Sequence, residues 1–301
     1  MIFSQVTEQE AEKASEHAAD ATQLAETAHA PDAAHAASHG EGGGITEMLE
    51  HHIMNSNTIE IPFIGEVHLP QIHVFGLDLS ITKHVVMMWI ASLLLLLIFV
   101  LAFRKRKAVP SGMALALESI VQYVRDEIAI KIIGEDGKKY TSYLLTTFFF
   151  ILTCNLLGLV PYGATATGNI GVTAALAGIA FIIIQSSGII KLGPIGYIKS
   201  LAPHGVSVFL LPIIIVIEII GMFVKPFALC IRLFANMIAG HISILIFLSF
   251  IFIFKTIFIA PASVLSAVFM YFLELLIAFI QAYIFTILTS LFIGLTVQPQ
   301  H

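Results

Sequence analysis

From Val206 to Phe254 the chain is almost continuously apolar, and this run constrains the fold more than any other feature. As one helix rising about 1.5 Å per residue it would extend roughly 75 Å, far beyond a hydrocarbon core roughly 30 Å thick. It must break or cross a membrane at a steep tilt. With further apolar sequence still to be placed before the C-terminus, the expectation is one long, tilted and kinked helix. A turn over Lys255 to Pro261 then leads into a second long helix from about Ala262 to Leu295.

Other apolar stretches of spanning length begin at Val85. Residues are 57% hydrophobic and only 12% charged, against about 25% charged in soluble domains. The fold class is therefore an all-α polytopic membrane protein with five membrane-embedded helices and a long tilted C-terminal hairpin. The net charge of -5 comes largely from the first sixty residues, and no basic surface for nucleic acid is visible. Cys154 and Cys230 lie within apolar spans and read as small buried hydrophobes rather than as a disulfide.

The first span, about His84 to Phe103, ends at Arg104, Lys105, Arg106 and Lys107, a block that the positive-inside rule places in the cytoplasm. This puts the N-terminus outside and the C-terminus in the cytoplasm. Between Ser111 and Ile133, Met113, Leu117, Ile120, Val121, Val124 and Ile128 share one helical face, and Glu118, Gln122, Arg125 and Asp126 the other. An amphipathic helix on the cytoplasmic surface is expected. Spans of about Ser142 to Val160 and Val172 to Ile190 follow, and Lys191 and Lys199 close the second on the same side.

Residues 1–57 form the first segment, an Ala-, Glu- and His-rich tail with too few large apolar side chains to build a core, expected to be mobile and outside the membrane. Its His17, His29, His35, His39, His51 and His52 are irregularly spaced and no Cys accompanies them, so no metal site and no cofactor are expected. The tail lacks the basic start and apolar stretch of a secretory signal. Residues 58–80 form a surface segment of short alternating runs broken by Pro and Gly. Residues 81–301 are the membrane domain.

Ionisable and amide side chains interrupt the last two helices: Glu218, Lys225, Arg232, Asn236 and His241 on the first, Glu274 and Gln281 on the second. Groups at such depth are functional candidates by default. Glu218, Lys225 and Arg232 are seven apart and Asn236 is four further on, so one helical stripe carries all four. In an antiparallel hairpin paired residue numbers have a nearly constant sum. One register then sets Gln281 beside Arg232 and Glu274 beside His241. Interhelical hydrogen bonding that merely stabilises the fold is the competing reading, stronger for Gln281 than for Arg232.

Arginine stays protonated, and a charge at mid-membrane costs about 2.5–3.5 kcal/mol on insertion scales. Glu218 stands about four turns away, roughly 21 Å along the axis, and Glu274 is better matched to His241. A carboxylate from another subunit is the inference. Ala235, Ala239 and Gly240 keep the surroundings small enough for a further helix to approach.

At these residues the chain resembles subunit a of the rotary F-type ATP synthases. The stretches that carry the resemblance are "KPFALCIRLFANMIAGH", "LELLIAFIQAYIF", "NLLGLVP" and "TATGNIGVTAALA", within roughly Ile81 to the C-terminus. The resemblance implies a stator with two offset half-channels meeting a ring of c subunits. It makes Arg232 the essential gate opposite a ring carboxylate, His241, Glu274, Asn236 and Gln281 parts of the outer half-channel, and Glu218 part of the inner one. It further implies peripheral-stalk b subunits and the lipid bilayer as partners, a bacterial inner membrane as the location, and no catalytic chemistry on this chain alone. The imidazole in the His241 and Glu274 pair favours protons over sodium. Two rivals remain open at this stage: a self-contained secondary transporter or channel in which Arg232 binds an anion, and a purely structural assembly protein.

Overall fold

A computed structural model describes residues 58–61, 65–68, 73–74, 77–78, 82–104, 111–160, 165–200, 211–254 and 258–298. The expected tail over 1–57 lies outside the described residues. In the surface segment, β1 (Thr58–Ile61) pairs antiparallel with β2 (Gly65–His68), Thr58 opposite His68, and β3 (His73–Val74) with β4 (Leu77–Asp78). The described elements beyond it are all helical.

The helices are α1 (Lys83–Phe103), α2 (Met113–Tyr123), α3 (Lys131–Ile133), α4 (Gly137–Gly158), α5 (Ile170–Ser200), α6 (Leu211–Phe254) and α7 (Ala260–Val297). Five of them, α1, α4, α5, α6 and α7, are long and apolar enough to cross a membrane, as expected. Their outward residues are apolar too: Trp89, Leu93 and Leu96 on α1 and Ile217, Phe223 and Phe227 on α6 are all more than half exposed. Such surfaces fit a lipid solvent and not water.

The long apolar run forms a single helix of 44 residues that carries Pro226 internally, roughly 66 Å by helical rise. It crosses a bilayer only when tilted. In α5 the regular helical backbone is interrupted where Gly193 adopts φ 73° ahead of Pro194. A positive φ, open to glycine, followed by proline kinks the helix.

The expected amphipathic surface helix is realised only in part. Along α2 no residue is fully buried. Past Tyr123 the chain widens into a π-helical stretch, Val124–Ile130, before tightening into α3. Val124, Ile128, Ala129 and Ile133 are buried in the main core with Leu144, Phe148 and Ile151 of α4 and Phe285, Ile293 and Val297 of α7. The backbone carbonyl of Ile128 accepts a 2.9 Å hydrogen bond from Ser290 Oγ. This half of the segment is therefore part of the bundle. Across the seven-residue π stretch the faces fall as the sequence assigns them, Val124 and Ile128 buried and Arg125 and Asp126 exposed; what differs is that the apolar face meets the bundle.

The buried face of α7 explains how the bundle closes. Ser263, Ala267, Glu274, Ala278, Gln281, Ala282, Thr286, Thr289, Ser290 and Gly294 lie on it, mostly small or hydroxylated residues spaced at three and four. Small residues let helices approach without a gap, and the hydroxyls return hydrogen bonds to their own helix, as Thr286 does to the Ala282 carbonyl and Thr289 to that of Phe285.

At the Arg104 end of the bundle, Asp136 receives hydrogen bonds from Lys139 Nζ at 2.8 Å and Lys191 Nζ at 2.5 Å, tying the start of α4 to α5. The hydrogen bonds from Lys139 and then Lys191 hold the Asp136 carboxyl down at about 2. A depressed carboxylate stabilises the fold above its ordinary pKa, 3.8, and loses that contribution as pH falls through about 2. Asp136→Asn should therefore lower the Tm in detergent at neutral pH by a few degrees, with the difference from the parent shrinking as pH is taken from 3.8 towards 2.

Candidate functional site

The membrane-depth polar groups converge on the α6 and α7 hairpin. His241 Nδ1 lies 3.3 Å from Glu274 Oε1, with the His241 side chain about one third exposed and that of Glu274 1% exposed. This is the pair that the antiparallel register anticipates. Burial of a carboxylate is tolerated only with a partner or a proton, and the His241 imidazole supplies that partner.

The neighbouring rung differs from expectation. Gln281 Oε1 accepts a 2.8 Å hydrogen bond from Asn236 Nδ2, so its partner is the asparagine one turn past Arg232 and not the arginine. The reason is rotational. Leu233, Met237 and Gly240 point into the bundle and are buried, Asn236 is half-buried at the edge of that strip, and Arg232 is exposed on the open side. Four residues advance an ideal helix by about 40° beyond a full turn, enough to turn Arg232 away from α7 while Asn236 reaches it. Among the described residues Arg232 makes no ion pair or hydrogen bond.

Glu218 is exposed, about two turns from Lys225, with Oε1 at 3.9 Å from Lys225 Nζ. The ammonium also sits 5.5 Å from the centroid of the Phe292 ring on α7. Lys225 was visible in the sequence through its spacing from Glu218, but the ring beneath it was not. Sequence reasoning also missed a buried knot at Asn155. Its Nδ2 donates to the Ala278 carbonyl at 3.3 Å and its Oδ1 accepts from Thr167 Oγ1 at 2.7 Å. The one signal for it was the single amide in the apolar "LTCNLLGLV".

The glycine before His241 shapes the acid–imidazole pair. A β-carbon on Gly240 would stand 2.8 Å from Glu274 Cδ and 2.9 Å from Cγ. The carboxylate thus lies across bare backbone, which brings it alongside His241.

Chemically the assembly offers a fixed cation facing outward, a buried acid–imidazole pair that can hold or pass a proton, a non-titrating amide bridge between them, and a carboxylate–ammonium pair on the far side of the arginine. Five helices long and apolar enough to cross a membrane, two of them carrying these ionisable groups, define an integral multi-pass membrane protein. Over residues 85–294 the chain matches the ATP synthase A chain family. It is 49% identical over 283 residues to ATP synthase subunit a 2 of Prosthecochloris aestuarii, covering 92% of this chain and 86% of that one. It is also 49% identical over 252 residues to ATP synthase subunit a of Chloroherpeton thalassium (82% and 75%), and 45% identical over 288 residues to that of Anaeromyxobacter dehalogenans (89% and 75%). The chain belongs to the ATP synthase A chain family.

Gly240→Ala should destabilise the hairpin by about 1–3 kcal/mol through overpacking, read as a fall in Tm of the detergent-solubilised chain. In a Glu274→Ala background the same substitution should cost far less, because the atoms it strikes are gone.

Proposed function

We propose that this chain is the stator subunit of an F-type ATP synthase and conducts protons through two offset half-channels to and from a ring of c subunits, so that ion flow drives rotation and ATP synthesis. The observation that carries the reading is the contrast between Arg232, exposed and without a counter-charge among the described residues, and the buried Glu274 carboxylate paired with His241 one face away. A permanent cation facing outward from a membrane helix calls for an anion from outside the chain. A carboxylate on each passing c subunit is that anion.

The Arg104 to Lys107 block sets the orientation: N-terminus outside, C-terminus in the cytoplasm of a bacterium whose inner membrane holds the protein. His241 and Glu274 then lie on the outer side of Arg232 and Glu218 on the inner side. Protons enter from outside past the acid–imidazole pair, with Asn236 and Gln281 lining the same path, and neutralise a ring carboxylate. After the ring turns, the carboxylate meets the aqueous inner path, where Glu218 assists release. Arg232 separates the two paths. Its charge draws the passing carboxylate into the deprotonated form and repels a proton crossing directly. Each unit charge descending 100 mV releases about 2.3 kcal/mol, which a leak at this point would dissipate. The peripheral-stalk b subunits hold the chain against the torque, and the catalytic step of ATP synthesis takes place on other subunits.

Arg232→Ala in the reconstituted complex should abolish both ATP synthesis and ATP-driven pumping while the complex still assembles. Normal coupled activity would reject the gate, and lost assembly would favour a purely structural role. Ion flux through the purified chain without a c-ring would instead support a self-contained transporter. Exchanging His241 and Glu274 should cost less pumping than Glu274→Ala alone, since the exchange keeps an acid and an imidazole in contact; equal losses would argue against a working pair.

A further inference from the structure

Among the described residues four buried side-chain polar atoms have no hydrogen-bond partner: His84 Nδ1, Thr165 Oγ1, Glu274 Oε2 and Gln281 Nε2. Orphaned buried polar atoms are costly, and in native structures they mark ordered water or function. Here they fall at the two ends of one polar line.

At one end, His84 near the start of α1 is 5% exposed and Thr165 9% exposed, and the imidazole lies near the Thr165 backbone. The Thr165 side chain occupies the space that a β-carbon on Gly158 would need. Gly158 is one turn beyond Asn155 on α4. Asn155 in turn accepts from Thr167 and donates to the carbonyl of Ala278, one turn along α7 from Glu274. Beside this line the packing is apolar, with Ala91, Cys154, Ala166 and Met87 in one cluster. Imidazole, hydroxyls and an amide thus run from the Lys83 end of α1 to the α7 backbone one turn from the buried carboxylate.

We propose that His84 is the entry proton relay of the outer path. The neutral ring, carrying its proton on the buried Nδ1, takes a second at Nε2 from the outer side, becomes imidazolium, and gives the Nδ1 proton to water held between Nδ1 and Thr165 Oγ1; a turn of the ring restores the starting tautomer. Water along Thr167 and Asn155 carries it on to Glu274, and the ring returns to its neutral form. This inference rests on the outer half-channel reading above. It adds a titratable group from the first span, which the hairpin alone does not supply.

The test measures potential-driven and ATP-driven proton movement in vesicles carrying the assembled complex, with Glu274→Gln run in parallel. His84→Ala and His84→Gln should each slow proton movement about tenfold or more, as expected on removing a positioned acid–base group. Added imidazole should restore His84→Ala, where space is opened, and not His84→Gln. Thr165→Val, which keeps shape and loses the hydroxyl, should also slow movement, and it decides the matter if the His84 variants fail to assemble. Full activity in His84→Gln or in Thr165→Val overturns the relay, as does a slow His84→Ala that imidazole leaves unchanged. If Glu274→Gln abolishes movement while the His84 variants do not, the outer path stands without this entry group; if Glu274→Gln has no effect, the outer path itself fails.

Discussion

The close approach of α6 to α7 is the constraint on which the rest of the structure depends. In a bilayer, apolar side chains gain little from leaving lipid, so helices associate through contact packing and interhelical hydrogen bonds. The buried face of α7 meets that requirement with Ser, Ala, Thr and Gly, and Gly240 on α6 removes the last obstacle at the level of Glu274. The same proximity that packs the hairpin buries the carboxylate and presents it to an imidazole. Packing and chemistry share one cause. A bulkier interface would separate the helices and leave Glu274 facing lipid alone, which a carboxylate at this depth does not tolerate.

Around this hairpin the other helices act as a frame. Buried residues of α4 and the π stretch form one core with α6 and α7, and Asn155 reaches across from α4 to the α7 backbone. The Asp136 contacts with Lys139 and Lys191 close the opposite end. Charges are thus used in two ways. At the periphery they tether elements. Within the bundle they are few, and nearly all of those described lie on or next to the α6 and α7 track.

Much of this was legible in the sequence because the membrane simplifies the problem. Apolar length alone pointed to the five spanning helices, and the constant-sum rule for an antiparallel hairpin found His241 beside Glu274. The same rule set Gln281 beside Arg232, where the structure pairs it with Asn236. Numerical register fixes the level of a residue along the axis but not its angle around it, and Arg232 is turned onto the open side. The surface helix was legible as far as Tyr123. Beyond it the apolar face that the sequence assigns, Val124 and Ile128, packs into the bundle core and not onto a membrane surface, which the period alone does not tell apart. Asn155 was harder to find as a single amide in an apolar run, and Thr167 and His84 because each lies in a short polar stretch at the edge of a span; only the folded arrangement brings them to one side of the bundle.

The Asn236 and Gln281 amides have a consequence of their own. They stand between Arg232 and the acid–imidazole pair, and neither gains nor loses a proton at any accessible pH. This rung is a link of fixed charge between the two helices. Its hydrogen bond joins α6 to α7 whatever the protonation of the neighbouring pair, so the spacing of the helices beside the arginine does not depend on that pair's charge.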